Sequence, residues 1–224
     1  MSTTRIKAVV FDLDGTLVDS APGLRNAINM FLQEQDCPPI SLDEVKGMIG
    51  DGMPVLLKRA FGNRGRELTK AETEAATNRF REYYAETGPR DTTLYPGARE
   101  ILAQFHTLGI SLGLCTNKPQ RSTEPLLATL NIKHYFRAVF GGDILKGIRK
   151  PDPRHVLAVL EKLEIDANDA VMVGDSPNDI KAGQGAGMPV VAVTYGYSLG
   201  PVKNLNADHY IDSLSELSAL LSHL

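Results

Sequence analysis

Four short apolar runs, at residues 6–11, 110–115, 170–173 and 190–193, most constrain what this chain can fold into. Each is rich in Val, Ile or Leu and too short for a core helix. Continuous apolar strands of this kind belong to a parallel sheet buried on both faces. Helical stretches at 99–108, 154–163 and 180–186 lie between them, so strand and helix alternate. That alternation predicts an α/β fold, a doubly wound, Rossmann-like parallel sheet with helices on both faces. Shorter strands are predicted at 138–140 and 209–211. A closing helix is predicted from Ser213, using Leu214, Leu217, Leu220 and Leu221.

The interval 19–93 has a different texture and no strand pattern. Leu24, Ala27, Ile28, Phe31 and Leu32 mark one face of a helix. Ser41 with Glu44, and Thr69 with Glu72, have the spacing of capping boxes that start helices. The expectation is a helical domain at 19–93, inserted after the first strand of an α/β core domain formed by 1–18 and 94–224. The hinges are expected near 18–22 and 88–96.

Composition excludes several classes. Of 224 residues, 24 are basic and 27 acidic, a formal net charge of −3. No basic excess suits nucleic acid, and any anion site must be built locally. Two cysteines, Cys37 and Cys115, fit a reducing compartment better than a disulfide framework. The opening MSTTRIK is polar, the apolar run after it is broken by Asp12, and no stretch is apolar enough to span a membrane. The expectation is a cytoplasmic protein, a monomer or small homo-oligomer, with no nucleic acid or membrane partner.

The first strand runs into Asp12-Leu13-Asp14-Gly15-Thr16. Residues two apart on a strand share a side, so the two carboxylates are neighbours. At about 4 Å they repel by roughly 4 kcal/mol at an effective dielectric near 20. A shared proton, a cation or separation in water must offset that. Three other places lie at predicted strand ends or helix starts: Cys115-Thr116-Asn117-Lys118, Lys150-Pro151-Asp152-Pro153, and Gly174-Asp175-Ser176-Pro177-Asn178-Asp179. Each alone reads as a turn, a solvated lysine or a helix start dressed with acids. Together, at the carboxyl ends of the strands, they describe one pocket with acids, a hydroxyl and a lysine. Hard oxygen donors with no His or Cys motif point to Mg²⁺ rather than zinc.

These four segments, in this order, resemble the motifs of the haloacid dehalogenase superfamily of phosphotransferases. Asp12–Thr16 corresponds to the first motif, Thr116 to the second, Lys150 to the third and Gly174–Asp179 to the fourth. The helical insertion resembles the cap of the subgroup with an early helical cap. Within the superfamily, CTNKP (115–119), GGD (141–143) and RKPDP (149–153) resemble bacterial phosphoglycolate phosphatases.

The resemblance implies an Mg²⁺-dependent phosphomonoesterase with a small phosphorylated metabolite, 2-phosphoglycolate, as substrate. In it Asp12 is the nucleophile and Asp14 the general acid and base. Asp12, the Asp14 carbonyl and Asp175 are metal ligands, with Asp179 behind them or bound through water. Thr116, Asn117 and Lys150 contact the phosphoryl group. Gly50, Asp51 and Gly52, between two predicted helices of the insertion, are expected to reach the substrate. Arg25, Lys46, Lys58 and Arg59 are candidate cations for its carboxylate. The competing readings are a phosphatase for another metabolite, a sugar phosphomutase and a phospho-Asp signalling module. A signalling module needs neither the insertion nor Asp14.

Overall fold

The computed structural model describes residues 6–198 and 202–224. In chain order the elements are β1 (Ala8–Phe11), β2 (Val18–Asp19), α1 (Ala21–Glu34), α2 (Leu42–Lys46), α3 (Met53–Gly62), α4 (Lys70–Thr87), β3 (Thr93–Leu94), α5 (Ala98–Thr107), β4 (Ser111–Cys115), α6 (Gln120–Thr129), β5 (Phe136–Phe140), α7 (Pro153–Leu163), β6 (Ala170–Gly174), α8 (Pro177–Gly185), β7 (Val190–Val193), β8 (His209–Ile211) and α9 (Leu217–Leu221). The chain divides into two compact units, one made of residues up to Val18 with Leu94–Leu224, the other of Asp19–Thr93.

The first unit carries a six-stranded sheet in the order β5-β4-β1-β6-β7-β8. Every neighbouring pair is parallel. β1 is therefore an interior strand, with Phe11 in register with Leu114 on one side and Val173 on the other. Period-two alternation splits its side chains between two cores. Val9 and Phe11 pack with Ile101, Leu102 and Phe105 of α5 and Leu126 and Leu127 of α6. Ala8 and Val10 pack with Val156, Val159 and Leu160 of α7 and Ile180 of α8. Helices on both faces of a parallel sheet are the doubly wound arrangement that the apolar runs predict.

Two local differences have physical causes. The closing segment starts as a 3-10 turn, Leu214–Glu216, and only Leu217–Leu221 is α-helical; Ser213 Oγ accepts from Ser215 N in that tight first turn. Short strands β2 and β3 occur at the edges of the interval read as strand-free. Each is two residues long, below the length at which a side-chain period is visible.

The second unit is helical and has its own core. Leu24, Ala27, Ile28, Phe31 and Leu32 of α1 are buried against Leu57 and Phe61 of α3 and Phe80 and Tyr84 of α4. Phe31 and Phe61 meet edge to face at 5.5 Å. Both capping boxes form. Ser41 N donates to Glu44 Oε2 at 2.8 Å while Glu44 N donates to Ser41 Oγ at 3.2 Å. Thr69 and Glu72 make the same exchange at 2.9 and 3.3 Å. Among the described residues no helix is long and apolar enough to cross a membrane.

Candidate active site

Three neighbouring strands, β4, β1 and β6, end side by side, and each hands its next residue to the same place. Asp12 follows β1, Thr116 follows β4 and Asp175 follows β6. The ladder continues through them: Asp12 N donates to Val173 O at 2.9 Å and Thr116 N to Phe140 O at 3.0 Å. All three are buried, as are Lys150 and Asp179.

Lys150 is the hub. Its Nζ donates to Asp12 Oδ1 and to Asp179 Oδ1, both at 2.6 Å. Carboxylate oxygens of Asp12, Asp175 and Asp179 all lie within 4.8 Å of one another. Burial lifts Asp12 to about 7, against the pull of Lys150 and with the help of Asp179. Asp175 is raised well above its ordinary value by burial first, then by Asp179 and Asp12. Burial works against a charged Lys150, but Asp12 and Asp179 outweigh it and the ammonium is held protonated. Three buried acids thus share one cation, an excess of negative charge that a second cation would offset. An all-carboxylate donor set is hard, so the residues fit a divalent ion of the Mg²⁺ or Ca²⁺ type rather than a softer metal.

The acids are fixed by backbone groups. Asp179 Oδ2 accepts from Asp175 N at 3.2 Å and from Ser176 N at 2.9 Å, at the start of α8. The plain reading of this acid as a helix-start residue therefore holds for one of its oxygens, while the other faces Lys150. Asp175 Oδ2 accepts from Tyr197 N at 2.7 Å, and Asp175 O accepts from the Ser198 hydroxyl. Two glycines make room for this carboxylate. A Cβ on Gly15, whose φ is +93°, would lie 2.3 Å from Asp175 Oδ2; one on Gly196 would lie 2.2 Å from Asp175 Cβ. Gly196→Ala is expected to displace Asp175 and weaken binding of a divalent cation at this cluster by about 10–100-fold. A metal titration of the folded variant checks this.

The two aspartates of the first segment do not share a partner. Asp14 accepts from Lys118 Nζ at 3.0 and 3.2 Å through its two oxygens. Asp12 and Asp14 therefore face different ammonium groups, Lys150 and Lys118, which offsets the repulsion the sequence raises. The sequence alone assigns Lys118 no role. The available signal was its place two residues beyond Thr116 in a strand-end loop, the same offset that relates Asp14 to Asp12. Asn117 ties two segments together, its Nδ2 donating to Lys150 O at 2.9 Å. Thr116 Oγ1 accepts from Lys118 N at 3.2 Å, which leaves its hydroxyl proton available to a ligand.

Gly50, Asp51 and Gly52 lie in the helical unit, between α2 and α3. Gly50 and Gly52 have φ of +119° and +85°. Asp51 accepts from Arg59 Nη2 at 2.5 Å, and Arg59 Nη1 donates to Met48 O at 3.2 Å. Arg59 thus braces this loop from within its own unit.

His155, in the first turn of α7, is fully buried. Its Nε2 lies 3.2 Å from Gly141 O, and its Nδ1 has no hydrogen-bond partner among the described residues. Burial, then the charge of Lys150, lower its pKa from 6.5 to about 4. Between those values the unfolded chain binds a proton that the folded chain refuses. Stability therefore falls as pH drops from 6.5 to 4, by on the order of 3 kcal/mol in full, and is unaffected by this group above that window. Urea midpoints at pH 7 and pH 5 are expected to differ less in His155→Gln than in the wild type.

A family model described as haloacid dehalogenase-like hydrolase matches residues 9–193. A phosphoglycolate phosphatase of Rhodospirillum rubrum is 42% identical over 215 residues, covering 94% of this chain and 89% of that protein. One from Pectobacterium atrosepticum is 40% identical over 221 residues, covering 98% and 94%. A crystal structure described as a predicted phosphoglycolate phosphatase, from Haemophilus somnus, superposes with a TM-score of 0.90 at 34% identity, covering 98% of this chain and 99% of that one. The matched residues take in Asp12, Asp14, Thr116, Lys150, Asp175 and Asp179, and on this extent of agreement the chain belongs to the haloacid dehalogenase-like hydrolase family.

Proposed function

We propose that this hydrolase is an Mg²⁺-dependent phosphomonoesterase that converts 2-phosphoglycolate to glycolate and phosphate through an aspartyl-phosphate on Asp12. The observation that carries the reading is the buried Lys150 ammonium held between Asp12 and Asp179, beside Asp175, at the ends of adjacent parallel strands. The names of the curated relatives support the substrate.

In this reading a carboxylate oxygen of Asp12 attacks phosphorus while the bond from phosphorus to the ester oxygen breaks. Asp14 gives a proton to that leaving oxygen. It then takes one from the water that attacks the phosphorus of the aspartyl-phosphate, which releases phosphate, frees the Asp12 carboxylate and returns Asp14 to its protonated form. Thr116 donates its hydroxyl proton to a phosphoryl oxygen, the backbone near Asn117 assists, and Lys150 neutralises charge on nucleophile and phosphate. Asp12, Asp175 and the Asp14 carbonyl would hold a magnesium ion, with Asp179 behind these ligands or bound through water. When bound, the ion supplies positive charge to the phosphoryl oxygens.

Magnitudes show why so many charges converge. Phosphomonoester hydrolysis can demand up to ~10²¹-fold acceleration, roughly 29 kcal/mol. General acid catalysis supplies about 10²–10⁴-fold. The larger share falls to positioning and charge stabilisation. In this reading the helical unit, which carries Gly50, Asp51 and Gly52 in its α2–α3 loop, is assigned the water-excluding role of a cap.

Phosphate release across 2-phosphoglycolate, sugar phosphates, nucleotides and pyrophosphate tests the reading. A preference for 2-phosphoglycolate, lost in EDTA and restored by Mg²⁺, is expected. Full activity in EDTA contradicts the metal assignment. Isomerised sugar phosphate in place of free phosphate makes the chain a mutase.

A further inference from the structure

The segment Gly141-Gly142-Asp143, in the turn after β5, has no task in the chemistry above. It lies against the loop after β4, which carries Thr116 and Asn117, and meets that loop at successive points. Thr116 N donates to Phe140 O at 3.0 Å, just ahead of the turn, and Gly142 N donates to Lys118 O at 2.9 Å. Gly141 N donates to Gln120 Oε1 at 2.5 Å, and Asp143 Oδ1 accepts from Gln120 N at 2.7 Å. The approach is close. A Cβ on Gly142 would lie 2.5 Å from Asn117 O, and one on Gly141 would lie 2.4 Å from Gln120 N. His155 Nε2, 3.2 Å from Gly141 O, ties the same turn to α7.

Helix α6 explains why an acid stands in the turn. The residue ahead of the helix is Pro119, which makes no side-chain cap, and the first turn holds no acid. The first N–H groups of a helix need acceptors and favour negative charge. Asp143, 23 residues from Gln120 in the chain, brings both to the Gln120 N–H.

We propose that Asp143 is a positioning residue for phosphoryl transfer: by capping α6 from outside, it fixes the loop that aims the Thr116 hydroxyl. The proposal rests on the phosphomonoesterase reading, in which Thr116 donates to a phosphoryl oxygen. Thr116 Oγ1 accepts from Lys118 N at 3.2 Å, so the direction of the hydroxyl depends on where the loop backbone lies. One end of that loop is β4, held in the sheet between β1 and β5. The other end is Gln120, held by Asp143. Misplacing a catalytic group by about 1 Å costs on the order of 10²-fold in rate. An exposed carboxylate outside the acid cluster thereby contributes to turnover without touching the substrate.

The test measures kcat for phosphate release from 2-phosphoglycolate in wild type, Asp143→Ala, Asp143→Asn, Thr116→Val and the double variant Asp143→Ala/Thr116→Val. Asp143 is exposed, so its replacement leaves the core intact. Asp143→Ala is expected to lower kcat on the order of 10-fold, while Asp143→Asn, which keeps an acceptor for Gln120 N, stays within about threefold of wild type. Thr116→Val alone is expected to cost about 10²–10³-fold. In that background the further loss from Asp143→Ala should shrink to less than about twofold, because the group being aimed is gone. A loss of folded protein would instead multiply through both backgrounds. An equal loss in both backgrounds, an Asn variant as impaired as the Ala variant, or a folded Asp143→Ala with wild-type kcat each overturns the role of Asp143 and leaves the phosphatase reading standing. A wild type that releases no phosphate from 2-phosphoglycolate, sugar phosphates or nucleotides overturns both.

Discussion

Asp12→Asn folds, binds substrate and does not turn it over. The amide is a poor nucleophile, and loss of the nucleophile removes the covalent route, so kcat is expected to fall by on the order of 10⁴–10⁶-fold. Stability is expected to hold or rise. In the wild type, burial and the neighbouring Asp179 lift Asp12 to about 7, which means the folded protein disfavours its ionised form. Asparagine leaves two acids in the cluster instead of three, and Lys150 keeps its 2.6 Å contact with Asp179. Thermal denaturation alongside phosphate release separates the two effects. A variant that retains substantial turnover removes Asp12 from the nucleophile role.

Lys150→Met is expected to damage both fold and chemistry. It removes the ammonium that lies 2.6 Å from Asp12 Oδ1 and Asp179 Oδ1 and leaves their charges buried. Breaking a buried pair from one side costs about 3–5 kcal/mol, because the remaining charge is uncompensated. For a chain of this length that lowers Tm by on the order of 10 °C. Mg²⁺ should recover part of the Tm by supplying positive charge, and little of kcat. Asp12→Asn should rescue stability when combined with Lys150→Met, since the two changes act on one cluster and do not add. A double variant as unstable as the sum of the singles would place the cost of losing Lys150 elsewhere.

The parts of this molecule legible in its sequence are those written in contiguous residues. The strands announce themselves because a sheet covered on both faces needs unbroken Val, Ile and Leu, and β7 (Val190–Val193) starts and ends where its apolar run does. The acids and Lys150 could be singled out because each sits at a strand end or just ahead of a helix. Helix α6 is not visible in that way. Its first turn, Gln-Arg-Ser-Thr-Glu, is polar, and Pro125 lies inside it.

Pairings across the sheet are also hidden. Asp14 and Lys118 are 104 residues apart, and only the parallel pairing of β1 with β4 brings them together. The bond from Tyr197 N to Asp175 uses a backbone group that every residue except proline carries, so no side chain signals it. Arg59 reads from the sequence as an exposed cation open to a substrate; its engagement with Asp51 and Met48 O depends on how the α2–α3 loop folds back on α3.

The central claim is a covalent bond between Asp12 and phosphorus. Rapid acid quenching during turnover of 2-phosphoglycolate, followed by peptide mass spectrometry, tests it most directly. A phosphoryl group is expected on the peptide that contains Asp12, removed by borohydride with conversion of that residue to homoserine. Phosphoryl label on a different residue during active turnover would contradict it.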